Sequence, residues 1–237
     1  MMDALPVHRH SEESGEPPRT SGRAFSRRLA PLLVTVSALL SSCASGPEVP
    51  DWSISAIGHV ERFTEAYLKG DTRIEAREYA LARAETARTG RPDLVARIEL
   101  NRCAARVASL VFESCEGFEP LRADASEAER AYADYLSGKA NQSGLAKLPA
   151  HHRAVAAGGT SLSGIEDPFS RLVAAGVVMR RGDATPDTVT TAVDTASRQG
   201  WRRPLLAWLG VQARLAEERG DPDDAARIRR RMGLVQP

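Results

Sequence analysis

The chain reads as an all-α protein, on three observations. Ala, Arg, Leu and Glu are abundant among its 237 residues, and all four are good helix formers. Extended runs rich in Val, Ile, Thr and aromatics are almost absent, and aromatics reach only 5%, so there is little to build strands from. Beyond residue 50, apolar residues recur at three- and four-residue steps, in runs closed by Gly-Asp and opened by Asp-Pro or Thr-Pro. The expected architecture is a set of antiparallel helical hairpins stacked as an irregular α-solenoid.

The first 43 residues are built differently. Arg27-Arg28 precede a 12-residue uncharged run, Leu29–Leu40, which leads through Ser41-Ser42 to Cys43. Spanning hydrocarbon takes about 20 apolar residues, so this run has the size of a signal-peptide h-region. Residues 1–26 are polar, rich in Pro, Ser and His, and long for an n-region. Either translation starts later or the n-region is extended and disordered. Leu40-Ser41-Ser42-Cys43 resembles the lipobox of bacterial lipoprotein signals. That resemblance implies cleavage before Cys43 and covalent diacylglycerol and N-acyl lipid on Cys43. Ala44, rather than Asp, implies sorting to the outer membrane, facing the periplasm. On this reading residues 1–42 are a discarded signal, 43–52 a lipidated tether and 53–237 a helical domain, with sub-halves at 53–138 and 167–233.

Removing residues 1–42 takes five of 32 basic and four of 31 acidic residues, which leaves 27 of each sign on 195 residues. That length is enough for one sizeable core. No basic stripe with interleaved aromatics appears, which argues against a nucleic-acid binder.

The elements follow in order. Ile54, Ile57, Val60, Phe63 (or Thr64) and Tyr67 predict one face of a first helix starting near Ser53 and ending at Gly70-Asp71. A second helix runs from Thr72 to Arg88, with Ile74, Tyr79 and Leu81, and stops before Gly90. Asp93 opens a third after Pro92, reaching at least Leu110. Ser126-Glu127-Ala128-Glu129 is a capping box for a fourth that ends at Gly138. Pro149 precedes a short segment containing His151-His152, and Gly158–Ser161 is loop. Asp167-Pro168, Thr185-Pro186, Pro204 and Asp221-Pro222 open the last four helices, ending near Arg181, Gln199, Leu215 and Met232.

This last third resembles tetratricopeptide-type repeats. Gly220-Asp221-Pro222-Asp223-Asp224-Ala225 has the family's glycine and small residue at the hairpin turn, and Leu209-Gly210 looks like its Leu-Gly pair, out of register with Gly220. No strict 34-residue period is present. Together with the lipobox, the chain is similar to the proteobacterial lipoproteins that carry helical periplasmic domains. The resemblance implies a protein–protein interaction or assembly scaffold rather than an enzyme, with an envelope protein as partner.

With Cys43 acylated, Cys103 and Cys115 remain, and an exported pair meets an oxidising compartment. An unbroken helix would hold them about 18 Å apart, against the roughly 7 Å a disulfide tolerates. Leu94, Ile98, Ala105, Ala108, Phe112 and Cys115 would share a face of such a helix. Compartment favours a bond and periodicity favours two buried thiols.

Patterns for chemistry are sparse. Gly159-Thr160-Ser161-Leu162-Ser163 lacks the second glycine of a nucleophile elbow, which falls at Gly164. His151 and His152 point about 100° apart on a helix, so they read as a partly exposed pair without metal. Asp221, Asp223 and Asp224 lack the offsets of a calcium loop and suit a helix N-terminus. Arg227, Arg229, Arg230 and Arg231 form a basic end that suits a helix C-terminus, anionic headgroups or an acidic partner. Trp201 and Trp208 are expected to pack the hairpins. Glu113-Ser114 resembles the catalytic pair of lytic transglycosylases, without the Gly-Leu-Met-Gln segment that follows in that family. Glu113 reads as a helix-end residue, and a peptidoglycan-acting enzyme or its accessory factor is the rival function. No cofactor, metal or small-molecule substrate is suggested.

Overall fold

The computed structural model describes residues 50–236, which hold nine α-helices, two 3-10 turns and no strand. The helices are α1 (Asp51–Lys69), α2 (Thr72–Ala87), α3 (Pro92–Ala108), α4 (Glu127–Leu136), α5 (Ala150–Ala156), α6 (Pro168–Arg181), α7 (Pro186–Gln199), α8 (Arg202–Glu218) and α9 (Pro222–Val235). The 3-10 turns span Glu119–Leu121 and Gln142–Lys147.

The predicted caps form. Asp167, Thr185 and Asp221 accept from the backbone N–H of Ser170, Thr188 and Asp224 at 2.7, 3.2 and 2.9 Å. Ser126 and Glu129 close the capping box reciprocally, at 3.3 and 2.6 Å. Each side-chain oxygen satisfies an N–H that a helix start leaves without a partner. Gly70 takes a left-handed φ of 90°, so Asp71 N–H can reach back to the Ala66 carbonyl at 2.8 Å and end α1.

Several boundaries move by two or three residues: α3 stops at Ala108, short of Leu110, while α8 and α9 run on to Glu218 and Val235. Helix α1 begins at Asp51, so it includes the last two residues of the expected tether. Helix α8 begins at Arg202, two residues before Pro204. A proline in the first turn removes only an N–H that has no helical partner.

The face expected on α1 splits in two. Phe63 and Tyr67 are buried, but Ile54 is 59% exposed and Ile57 also faces outward. Nine residues separate Ile54 from Phe63, and at about 100° each they lie half a turn apart. Steps of three thus carried the pattern round the helix rather than along one side.

Sequence neighbours pack as hairpins: α1 on α2, α6 on α7, α7 on α8 and α8 on α9. Two further contacts, α3 on α6 and α1 on α8, join the first helices to the last. One core cluster runs from Tyr67 to Ile228. Its centre is α6, where every residue from Leu172 to Val178 is buried, as expected of a helix that is apolar all round. Helix α6 crosses α3 at Gly176, where an added Cβ would collide with the Val107 carbonyl oxygen.

The α1–α8 contact is made by three consecutive residues. Trp201 Nε1 donates to Glu65 at 2.8 Å, Arg202 to the Lys69 carbonyl at 3.0 Å and Arg203 to the Tyr67 carbonyl at 2.8 Å. The start of α8 therefore caps the end of α1, and Trp201 reaches beyond its own hairpin.

Gly176→Ala should lower stability by about 1–3 kcal/mol, because the methyl group meets backbone rather than a movable side chain. Gly233→Ala, where nothing lies within 4 Å, should be neutral or stabilising. Urea titration of both variants checks the contrast.

Candidate functional site: the disulfide-closed loop after α3

Helix α3 ends at Ala108 through a left-handed residue that is not glycine. Leu110 has φ of 59°, its N–H meets the Val107 carbonyl at 3.0 Å, and Val111 N–H meets Arg106 at 2.9 Å. This is the double hydrogen bond of a Schellman ending. The chain then turns back, and Cys115 comes within a Cα–Cα distance of 5.8 Å of Cys103 and bonds to it. The continuous helix carrying two thiols is thereby excluded, and Phe112 stands 38% exposed in the loop instead of on a buried helix face.

Beneath the loop lies a network of buried charge. Glu99, one turn before Cys103, accepts from Tyr79 at 2.7 Å and Arg83 at 3.0 Å. Gly117, just after the disulfide, passes so close to the Glu99 carboxylate that a Cβ would collide with it. Glu75 accepts from Arg102 at 3.0 Å, and the Arg102 guanidinium lies 4.1 Å from the centre of the Tyr79 ring. Glu129 accepts from Arg97 at 2.7 Å. Burial alone would raise the Glu129 pKa, but the Arg97 bond and the Ser126 backbone N–H hold it below the usual range. All three glutamates are buried and matched by arginine or tyrosine, so they bind helices together.

The loop itself presents Phe112 and Glu113 outward. Arg180 of α6 lies 5.6 Å from the Phe112 ring centre, and Arg106 approaches Glu113 at 4.0 Å. Glu113 is not at a helix end but in the loop, with its side chain 70% exposed. What this arrangement offers is a pinned, mixed aromatic and charged surface suited to contact.

The His151-His152 expectation needs correction. His151 is exposed, but His152 is buried against α4, where the Tyr135 hydroxyl meets its Nδ1 at 3.0 Å. Burial, with a lesser contribution from His151, pushes its pKa down to about 3. Beside it, Tyr135, Gly138, Ala156, Gly158, Val177 and Arg181 line a cavity of about 250 Å³. Arg181 crosses that region to donate to the Val155 and Gly159 carbonyls, which gives it a structural part. A groove of about 390 Å³ between α8 and α9 is bridged by the Arg229–Glu217 ion pair. Arg227 pairs with Asp224, and all four arginines of the basic end are exposed, with Arg230 and Arg231 in no ion pair among the described residues. Gly159–Ser163 is loop, and no group of three metal-ligating side chains occurs among the described residues. Leu40, Ser41, Ser42 and Cys43 lie outside the described residues.

Reduction of Cys103–Cys115 should cost about 3 kcal/mol, the expectation for a loop of this length; urea titration with and without a reductant measures it. Without reductant, the intact mass should be lower by two hydrogens. Stability should also depend on pH through His152. Its folded pKa lies below the ordinary 6.5, so its contribution is complete above about pH 6.5 and lost as pH falls. Between pH 7 and pH 5 that loss should approach about 2 kcal/mol. His152→Phe should be less stable at pH 7 but show a shallower slope over the same interval. No known protein family, curated protein or solved structure matches the chain, so its function is read from its own residues.

Proposed function

We propose that the chain is a lipid-anchored interaction module of the bacterial cell envelope, tethered through acylated Cys43 at the periplasmic face of the outer membrane. The observation that carries this is the order Arg27-Arg28, Leu29–Leu40, Ser41-Ser42, Cys43. One further fact supports it: Cys103 and Cys115 are bonded, which suits an oxidising compartment. No described helix is long and apolar enough to cross a membrane.

The scaffold role is supported by the surface. Paired helices present broad faces to a partner, and the disulfide holds Phe112 and Glu113 in one place at low entropic cost on binding. An envelope protein is the partner proposed.

Cys43→Ser should leave a precursor that is neither acylated nor cleaved by the lipoprotein peptidase. A normally processed, palmitate-labelled product from that variant would overturn the anchor. Affinity capture from solubilised envelopes should return a stoichiometric protein, weakened by Phe112→Ala. Muropeptide release by the wild type that is lost in Glu113→Gln would replace the scaffold role with peptidoglycan chemistry.

A further inference from the structure

Helix α2 carries a face that the fold does not use. Its packing partners are α1 and α3. At about 100° per residue, Arg73, Arg77, Ala80, Ala84, Ala87 and Arg88 fall within about 60° of one direction. All six are exposed.

The acids of α2 leave the helix about 110° or more from that direction, and only Glu85 reaches back to the face, through Arg88. Glu75 is turned to Arg102, Glu78 to His59 and Arg62, and Glu85 to Arg88. Arg73 and Arg77 form no ion pair among the described residues, so they are the uncompensated charge of the face. The alanines between and beyond the arginines keep the surface low. Guanidinium groups can therefore reach a plane of phosphates and engage them bidentately.

We propose that this face rests on the anionic phospholipid surface to which Cys43 attaches the chain, an inference that builds on the anchor reading above. Chain length is the reason for choosing a bilayer. Only six residues lie between Cys43 and Pro50, and the seven steps from one to the other span at most about 25 Å. A domain tied so closely meets the membrane at high effective concentration. An attraction worth about fivefold per arginine near an anionic surface, too weak to recruit a free protein, then suffices to orient a tethered one.

The test uses the acylated full chain with an environment-sensitive fluorophore on Ala80→Cys, in vesicles carrying a headgroup quencher. Quenching should be strong in phosphatidylglycerol-containing vesicles, weak in phosphatidylcholine alone, and suppressed by high salt. Arg73→Gln with Arg77→Gln should lower the ratio of docked to undocked chain about 25-fold, with helicity unchanged by circular dichroism. Flotation reports the anchor separately, because acylated chain should float with both vesicle types in every variant. Chain that floats without composition-dependent quenching overturns the docking and leaves the anchor standing. Chain that floats with neither vesicle overturns both. Quenching or shielding that appears only when envelope proteins are added would assign the face to an acidic protein and overturn the membrane assignment.

Discussion

The last turn of α3 is where the fold is decided. A helix end leaves its final carbonyls without helical partners, and here they are met by the loop that follows and by α8. Leu110 and Val111 close on Val107 and Arg106. The Trp208 indole, fully buried, donates to Ala108 at 3.1 Å. Gly176 of α6 lies against the Val107 carbonyl, close enough that no side chain fits between them. The termination of one helix thus sets the positions of α6, α8 and the loop to Cys115. A displacement of that turn would strand buried polar groups and open the centre of the core together, which is the costliest combination available to a small helical domain.

Buried charge supplies a second kind of order. The chain is poor in aromatics and 27% charged, and part of that charge lies inside. Glu75, Glu99 and Glu129 each meet an arginine or tyrosine on a neighbouring helix. Such pairs add little net stability over apolar residues of the same size, yet breaking one leaves a charge without compensation. Their effect falls on alternatives: a slipped α2 or α4 would lose its match. Alanine-rich faces, which pack in many registers, need that discrimination.

Much of the helix inventory was legible because its ends are punctuated. Asp167, Thr185, Asp221 and the Ser126–Glu129 box announce starts through chemistry that acts over three residues. The end of α3 was illegible for the converse reason. Its left-handed position is held by Leu110, packed on the core, and the next glycine is Gly117. Nothing local marks the break, so the sequence alone leaves the cysteine pairing open. The burial of His152 has no local signal, because it depends on α4 arriving from elsewhere. The Trp201–Arg203 contacts with α1 join residues more than 130 apart, and no periodicity reports such a pairing. Of the candidate site, the cysteines were visible, but Glu99, Gly117 and their contact were not.

These contacts also determine how a tethered domain would be held. Any pull from the N-terminal side enters through α1, whose first turns are lightly packed, with Ile54 and Ile57 outside. The far end of the same helix is gripped by Trp201, Arg202 and Arg203, and the Arg203 guanidinium stacks 4.4 Å from the Tyr67 ring centre. Load therefore passes along α1 to α8, and from α8 through Trp208 to the end of α3. An anchor attached at this place reaches the most constrained part of the core through two helices. The loop closed by Cys103–Cys115 leaves from that same part, so its exposed residues are held in a fixed relation to α1.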